Sequence, residues 1–156
     1  MPQENRQLSE HFSFDEFTRS ATAQSRGIDN VTPALEKIEE LTRLATFMEF
    51  VRDALGGHPI QITSGFRCEE LNAAIGGASN SQHKDGHACD FLCPGFGSPD
   101  EICAFLEQCE FPYDQLIYER DSRGNKWVHI SIADVGVKPR GQVLNLQSGI
   151  TRTGLG

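Results

Sequence analysis

Ser81-Gln82-His83-Lys84-Asp85-Gly86-His87-Ala88-Cys89-Asp90 is the stretch on which the reading of this chain turns, and Trp127-Val128-His129 answers it further along. His83, Asp90 and His129 are two imidazoles and one carboxylate, a mixed nitrogen and oxygen set suited to zinc. Three such ligands fill three tetrahedral positions and leave the fourth for water, the arrangement of a catalytic rather than a structural site.

Working outward, the residues after Gly86 alternate. Ala88, Asp90 and Leu92 share one face of an expected strand, so Asp90 projects from a rigid element. Ala78 to Gln82 is small and polar, a loop that delivers His83. His83 and His87 are spaced like a helical zinc pair, but Gly86 disfavours a helix, which leaves His87 on the rim. Upstream, Pro59 to Thr63 reads as a strand entering Ser64-Gly65-Phe66-Arg67, and Glu69 to Ile75 as a helix closed by Gly76-Gly77.

Farther upstream, Thr32-Pro33 looks like an N-cap followed by proline in the first turn. Leu35, Ile38, Leu41, Ala45, Met48, Val51 and Leu55 then recur at helical spacing up to Gly56-Gly57, predicting one long core helix with Met48 as core. Ser13-Phe14-Asp15-Glu16 is a capping box, so a short helix carries Phe14 and Phe17 inward before a polar linker runs to Asn30.

Downstream, Ser98-Pro99-Asp100-Glu101 is a second capping box. It opens a helix with Ile102, Phe105, Leu106 and Cys109 on its apolar face. Asp114 to Glu119 and Lys126 to Ile132 are strand-like runs around the turn-rich Asp121 to Asn125, Gln142 to Leu146 is expected as a last strand, and residues 148–156 as a loose tail. The whole is an α+β domain over residues 1–156, with helices on a small, mainly antiparallel sheet and residues 1–30 as an N-terminal lead-in.

Hairpin register decides the chemistry. A turn centred near Arg123 sets Glu119 opposite Trp127 and Ile117 opposite His129, with all four on one face. Glu119 is then diagonal to His129, where its carboxylate can take a proton from the attacking water as a general base.

Composition sets the bounds. The chain has 156 residues, 38% hydrophobic and 23% charged, which suits one ordinary core. A net charge of −8 without a basic run argues against nucleic acid as a partner. No stretch is long and apolar enough to span a bilayer, and the polar start from Met1 to Arg6 predicts a chain made in the cytoplasm without an export signal. Five cysteines without a Cys-x-x-Cys predict reduced thiols rather than disulfides or a thiolate metal site. A monomer is expected.

Ser64 to Arg67, Leu71-Asn72-Ala73-Ala74-Ile75-Gly76-Gly77, Ser81-Gln82-His83, Gly86-His87-Ala88-Cys89-Asp90, Asp114-Gln115-Leu116-Ile117-Tyr118-Glu119 and Trp127-Val128-His129 follow one another in order. Together with the segment from Leu8 to Asn30, they resemble the zinc D-alanyl-D-alanine carboxypeptidase family, peptidases related to the hedgehog signalling domain. The resemblance runs to about Ser131.

That resemblance implies one zinc per chain on His83, Asp90 and His129, with Glu119 as base. In some relatives the base stands three residues before the last histidine. Here that position is Lys126, which cannot serve, so Glu119 is the candidate. The resemblance also implies that Arg67 binds substrate or polarises the scissile carbonyl, which its permanent charge and two parallel donors suit. Gln82, Ser81 and Trp127 are counted among the residues around the substrate, Trp127 chiefly as packing beside the metal. Similar compact members often come from bacteriophages and cut peptidoglycan stem peptides, and a chain without an export signal would meet the wall through lysis or a virion. From another class, the alternative is a non-catalytic zinc module that binds cell wall or protein.

Overall fold

Ser13 opens the first helix, α1 (Phe14–Thr18), as the capping box requires. Its hydroxyl accepts the Glu16 N–H, and its own N–H donates to the Glu16 carboxylate at 2.7 Å. Phe14 and Phe17 are fully buried. The computed structural model describes residues 6–148 and 150–155. The expected signal-free start falls largely on residues 1–5, which lie outside them, as do Gly149 and Gly156 of the tail.

The chain divides into two compact units, residues 1–51 with 62–89 and residues 52–61 with 90–156. In the first unit the supposed linker holds a helix, α2 (Ala21–Arg26). Ser20 caps it through a hydroxyl that accepts the Ala23 N–H, and Gly27 ends it with a φ of 67° that only glycine adopts cheaply. The helix buries Ala23 alone, so it carries no apolar stripe by which periodicity would reveal it.

The expected single long helix is instead two, α3 (Thr32–Leu35) and α4 (Ile38–Ala54). The N–H groups of Glu36 and Lys37 bond back to Pro33 and Ala34, a three-residue tightening that ends α3. Val31, not Thr32, is the N-cap, and the Asp29 carboxylate accepts the N–H of both. The break leaves Leu35 37% exposed rather than in the core. Within α4 the stripe residues Leu41, Ala45, Met48 and Val51 are fully buried, joined by Leu44, while Ile38 is half-buried.

Strand β1 (Gln61–Ser64) starts later than expected and leads into α5 (Glu69–Ala74), then a 3-10 turn (Gln82–Asp85), then β2 (Ala88–Leu92). Gly86 ends the 3-10 turn with a φ of 75°. β2 begins in the first unit and continues into the second.

In the second unit, α6 (Pro99–Gln108) follows its capping box and packs on the hairpin β3 (Gln115–Arg120) and β4 (Lys126–Ser131). Its buried face is Ile102, Cys103 and Leu106. Phe105, expected inward, is 37% exposed and meets the Phe96 ring at a tilt of 52°. Strand β5 (Gln142–Gln147) runs parallel to β3. The tail expected to be loose forms β6 (Ile150–Thr153), antiparallel to β5. Backbone pairing builds β6, whose side chains are all exposed, so no hydrophobic alternation announces it. In the second unit the strands run in the order β4-β3-β5-β6. All five cysteines are free thiols, and burial pushes the Cys103 thiol up to about 12.

Candidate metal centre

His83 is set by its own turn. The Ser81 hydroxyl accepts the His83 N–H at 3.2 Å and also receives the Arg67 guanidinium at 3.3 Å, so Ser81 is engaged as a cap. The imidazole is 3% exposed, and its Nδ1 lies 2.7 Å from the Gly65 carbonyl oxygen. A carbonyl can only accept, so Nδ1 carries the proton and Nε2 presents its lone pair, the state a metal requires.

Gly65 can offer that carbonyl because it has no side chain. A Cβ there would collide with the Phe17 backbone, to which the next residue, Phe66, donates its N–H at 2.6 Å. Arg67 is clamped on both sides by Asn30, a residue absent from the sequence-level candidates. The Asn30 amide donates to the carbonyls of Thr18 and Phe66, and its oxygen accepts the Cys68 N–H, at 2.8, 3.0 and 2.8 Å. Arg67 itself donates its N–H to the His83 carbonyl and is half-buried. Gln82 opens the 3-10 turn, half-buried.

His87 does not lie on a rim. It is 7% exposed and its Nε2 meets the Glu40 carboxylate at 2.8 Å, a partner on α4 that sequence spacing could not supply. That hydrogen bond holds the Glu40 carboxyl below its ordinary range.

In the hairpin the register is the expected one: Glu119 stands opposite Trp127, and Ile117 opposite His129. The turn enforces it, since Asp121 accepts the N–H of Arg123 and Asn125 and Gly124 takes a φ of 87°. His129 is buried, with its Nδ1 3.0 Å from an Asp90 oxygen and 3.9 Å from Glu119 Oε1. The other Glu119 oxygen accepts the Trp127 indole N–H at 2.6 Å.

His83 is buried in the first unit, and Asp90 and His129 are buried in the second. Nitrogen and oxygen ligands of one tetrahedral zinc stand about 3.3 Å apart, close to the 3.0 Å between His129 and Asp90. The donor set and its spacing therefore fit zinc.

A sequence model of the family described as Peptidase M15 matches residues 10–131. Over 97 residues, 62% of this chain, the sequence is 35% identical to a zinc D-Ala-D-Ala carboxypeptidase of Streptomyces albus G. The match covers 35% of that protein, so the chain spans about a third of its length. The matched span contains both histidines, the aspartate and the hairpin that carries Glu119, and the chain belongs to the Peptidase M15 family.

Proposed function

We propose that this protein is a zinc-dependent peptidase that hydrolyses an amide bond in peptidoglycan stem peptides. His83, Asp90 and His129 hold the metal, Glu119 acts as general base, and Arg67 faces the substrate. One observation carries the reading: Asp90 and His129, both buried, stand 3.0 Å apart, the spacing of two ligands on one zinc. Family membership and the zinc carboxypeptidase relative support it.

Bound zinc supplies Lewis acidity, which brings the pKa of water at the site to about 7 and polarises the scissile carbonyl. The chain's own residues do the rest. Glu119, with Oε1 3.9 Å from His129 Nδ1, receives the proton of the attacking water and passes it to the leaving amine. Arg67 offers a charged, two-pronged donor to a substrate carboxylate or to the oxyanion that develops at the carbonyl. Gln82 stands next to a ligand and bears on the peptide. The substrate is cell-wall material, and the protein acts on it as a monomer.

Metal content and muropeptide digestion, compared between the parent and Glu119→Ala, test the reading. The expected result is about one zinc per chain in both, with cleaved stem peptides released by the parent alone. Fragment masses then name the bond. Zinc without cleavage by the parent would point to a binding module, and a protein that takes up no zinc would sink the ligand set.

A further inference from the structure

We infer that Trp127 is a positioning residue for the general base, holding the Glu119 carboxylate through its indole N–H. This rests on the reading of Glu119 as base. The two residues face each other directly across β3 and β4, which brings their side chains to the same face of the hairpin. Trp127 Nε1 lies 2.6 Å from Glu119 Oε2, and Oε1 is the oxygen on the His129 side, at 3.9 Å from Nδ1.

An indole has one donor and no acceptor, so its bond to a carboxylate has one sense only. With the Glu119 side chain 14% exposed, that bond is charge-assisted and poorly screened, the kind that fixes geometry. A glutamate left alone has three rotatable bonds, whose freedom must be frozen before the carboxylate can act. Trp127 removes that freedom in the folded protein, before substrate arrives, and turns Oε1 toward the metal side. The turn from Asp121 to Asn125 contributes by setting the register that opposes the pair. Packing beside the metal would need only the ring; the observed contact uses the ring nitrogen.

The chain has one tryptophan, so every indole signal belongs to Trp127. In the zinc-loaded protein, the indole N–H resonance of a 15N-labelled sample should move on Glu119→Ala, and steady-state kinetics should show what the bond does. Trp127→Phe keeps an aromatic ring and removes the donor. It should lower kcat by about 10- to 100-fold, the worth of a hydrogen bond to a charged group, with KM, zinc content and melting temperature unchanged. In the Glu119→Ala background, which no longer cleaves, the same change should leave stem-peptide affinity unaltered, because Trp127 acts through Glu119 and not on the peptide.

An indole resonance indifferent to Glu119→Ala would overturn the contact. Unchanged kcat in Trp127→Phe would overturn the positioning role, and weaker stem-peptide binding on Trp127→Phe in the non-cleaving Glu119→Ala background would assign Trp127 to the substrate instead. Should Trp127→Phe fold poorly, replacing the single tryptophan with its sulfur analogue benzothienylalanine removes the N–H at nearly constant shape, and the same kcat loss is expected. If Glu119→Ala retains cleavage, the base assignment fails whatever the indole resonance does, so the two ideas fail separately.

Discussion

The Nδ1 atom of His83 lies 2.7 Å from the carbonyl oxygen of Gly65. This one bond fixes the tautomer of a proposed zinc ligand, and it exists because Gly65 lies flat against the Phe17 backbone. Gly65→Ala forces the two backbones apart and should weaken zinc binding by about 10- to 100-fold, the usual cost of losing an outer-shell partner. Competition against a chromogenic chelator measures it. Parental affinity in the variant would mean that the carbonyl does not orient the ring.

Asn30 satisfies three backbone groups of two separate segments while itself 4% exposed. Asn30→Ala strands them and should cost about 3 kcal/mol, read as a lower urea midpoint at an unchanged slope. Because Phe66 and Cys68 flank Arg67, substrate affinity should fall with it. A loss below about 1 kcal/mol would show that water replaces the clamp.

Glu40 ties stability to pH. The His87 hydrogen bond, with help from Arg43, depresses its carboxyl, so the stabilisation is complete above the ordinary carboxylate range and is lost as pH falls through the folded value. Glu40→Gln should therefore be less stable than the parent at neutral pH, by about 1 kcal/mol, and equal to it near pH 3. Melting curves across that range decide the matter; a gap that persists into acid would contradict the linkage.

Metal removal should be felt in stability as well as in cleavage. A ligand that binds only the folded state adds about 1.4 kcal/mol for each tenfold excess over its dissociation constant. Chelation should lower the melting temperature of the parent, and zinc should restore it. In Asp90→Ala both responses should be much reduced; an equal zinc response there would remove Asp90 from the ligand set.

The hairpin register was open to reading because its determinants sit within a few residues of one another: strand runs on either side, and Asp121 and Gly124 in the turn between. Both capping boxes and the stripe along α4 were legible for the same reason. The helix α2 was not, for its caps enclose no apolar face. Nor was the break between α3 and α4, where Leu35 and Ile38 keep the helical spacing while the backbone tightens beneath them.

The amino-acid order alone determined which residue types could bind a metal, the caps and turns that start and stop elements, and the opposition of Glu119 to Trp127. These depend on interactions between near neighbours, where the chain pays little entropy to meet itself. Only the tertiary structure decided that His87 answers Glu40, that Asn30 holds Thr18, Phe66 and Cys68, that Gly65 turns the His83 ring, and that the end of the chain adds a strand to β5. Each of these is a hydrogen bond between groups that no periodicity relates, and the fold alone brings them within reach.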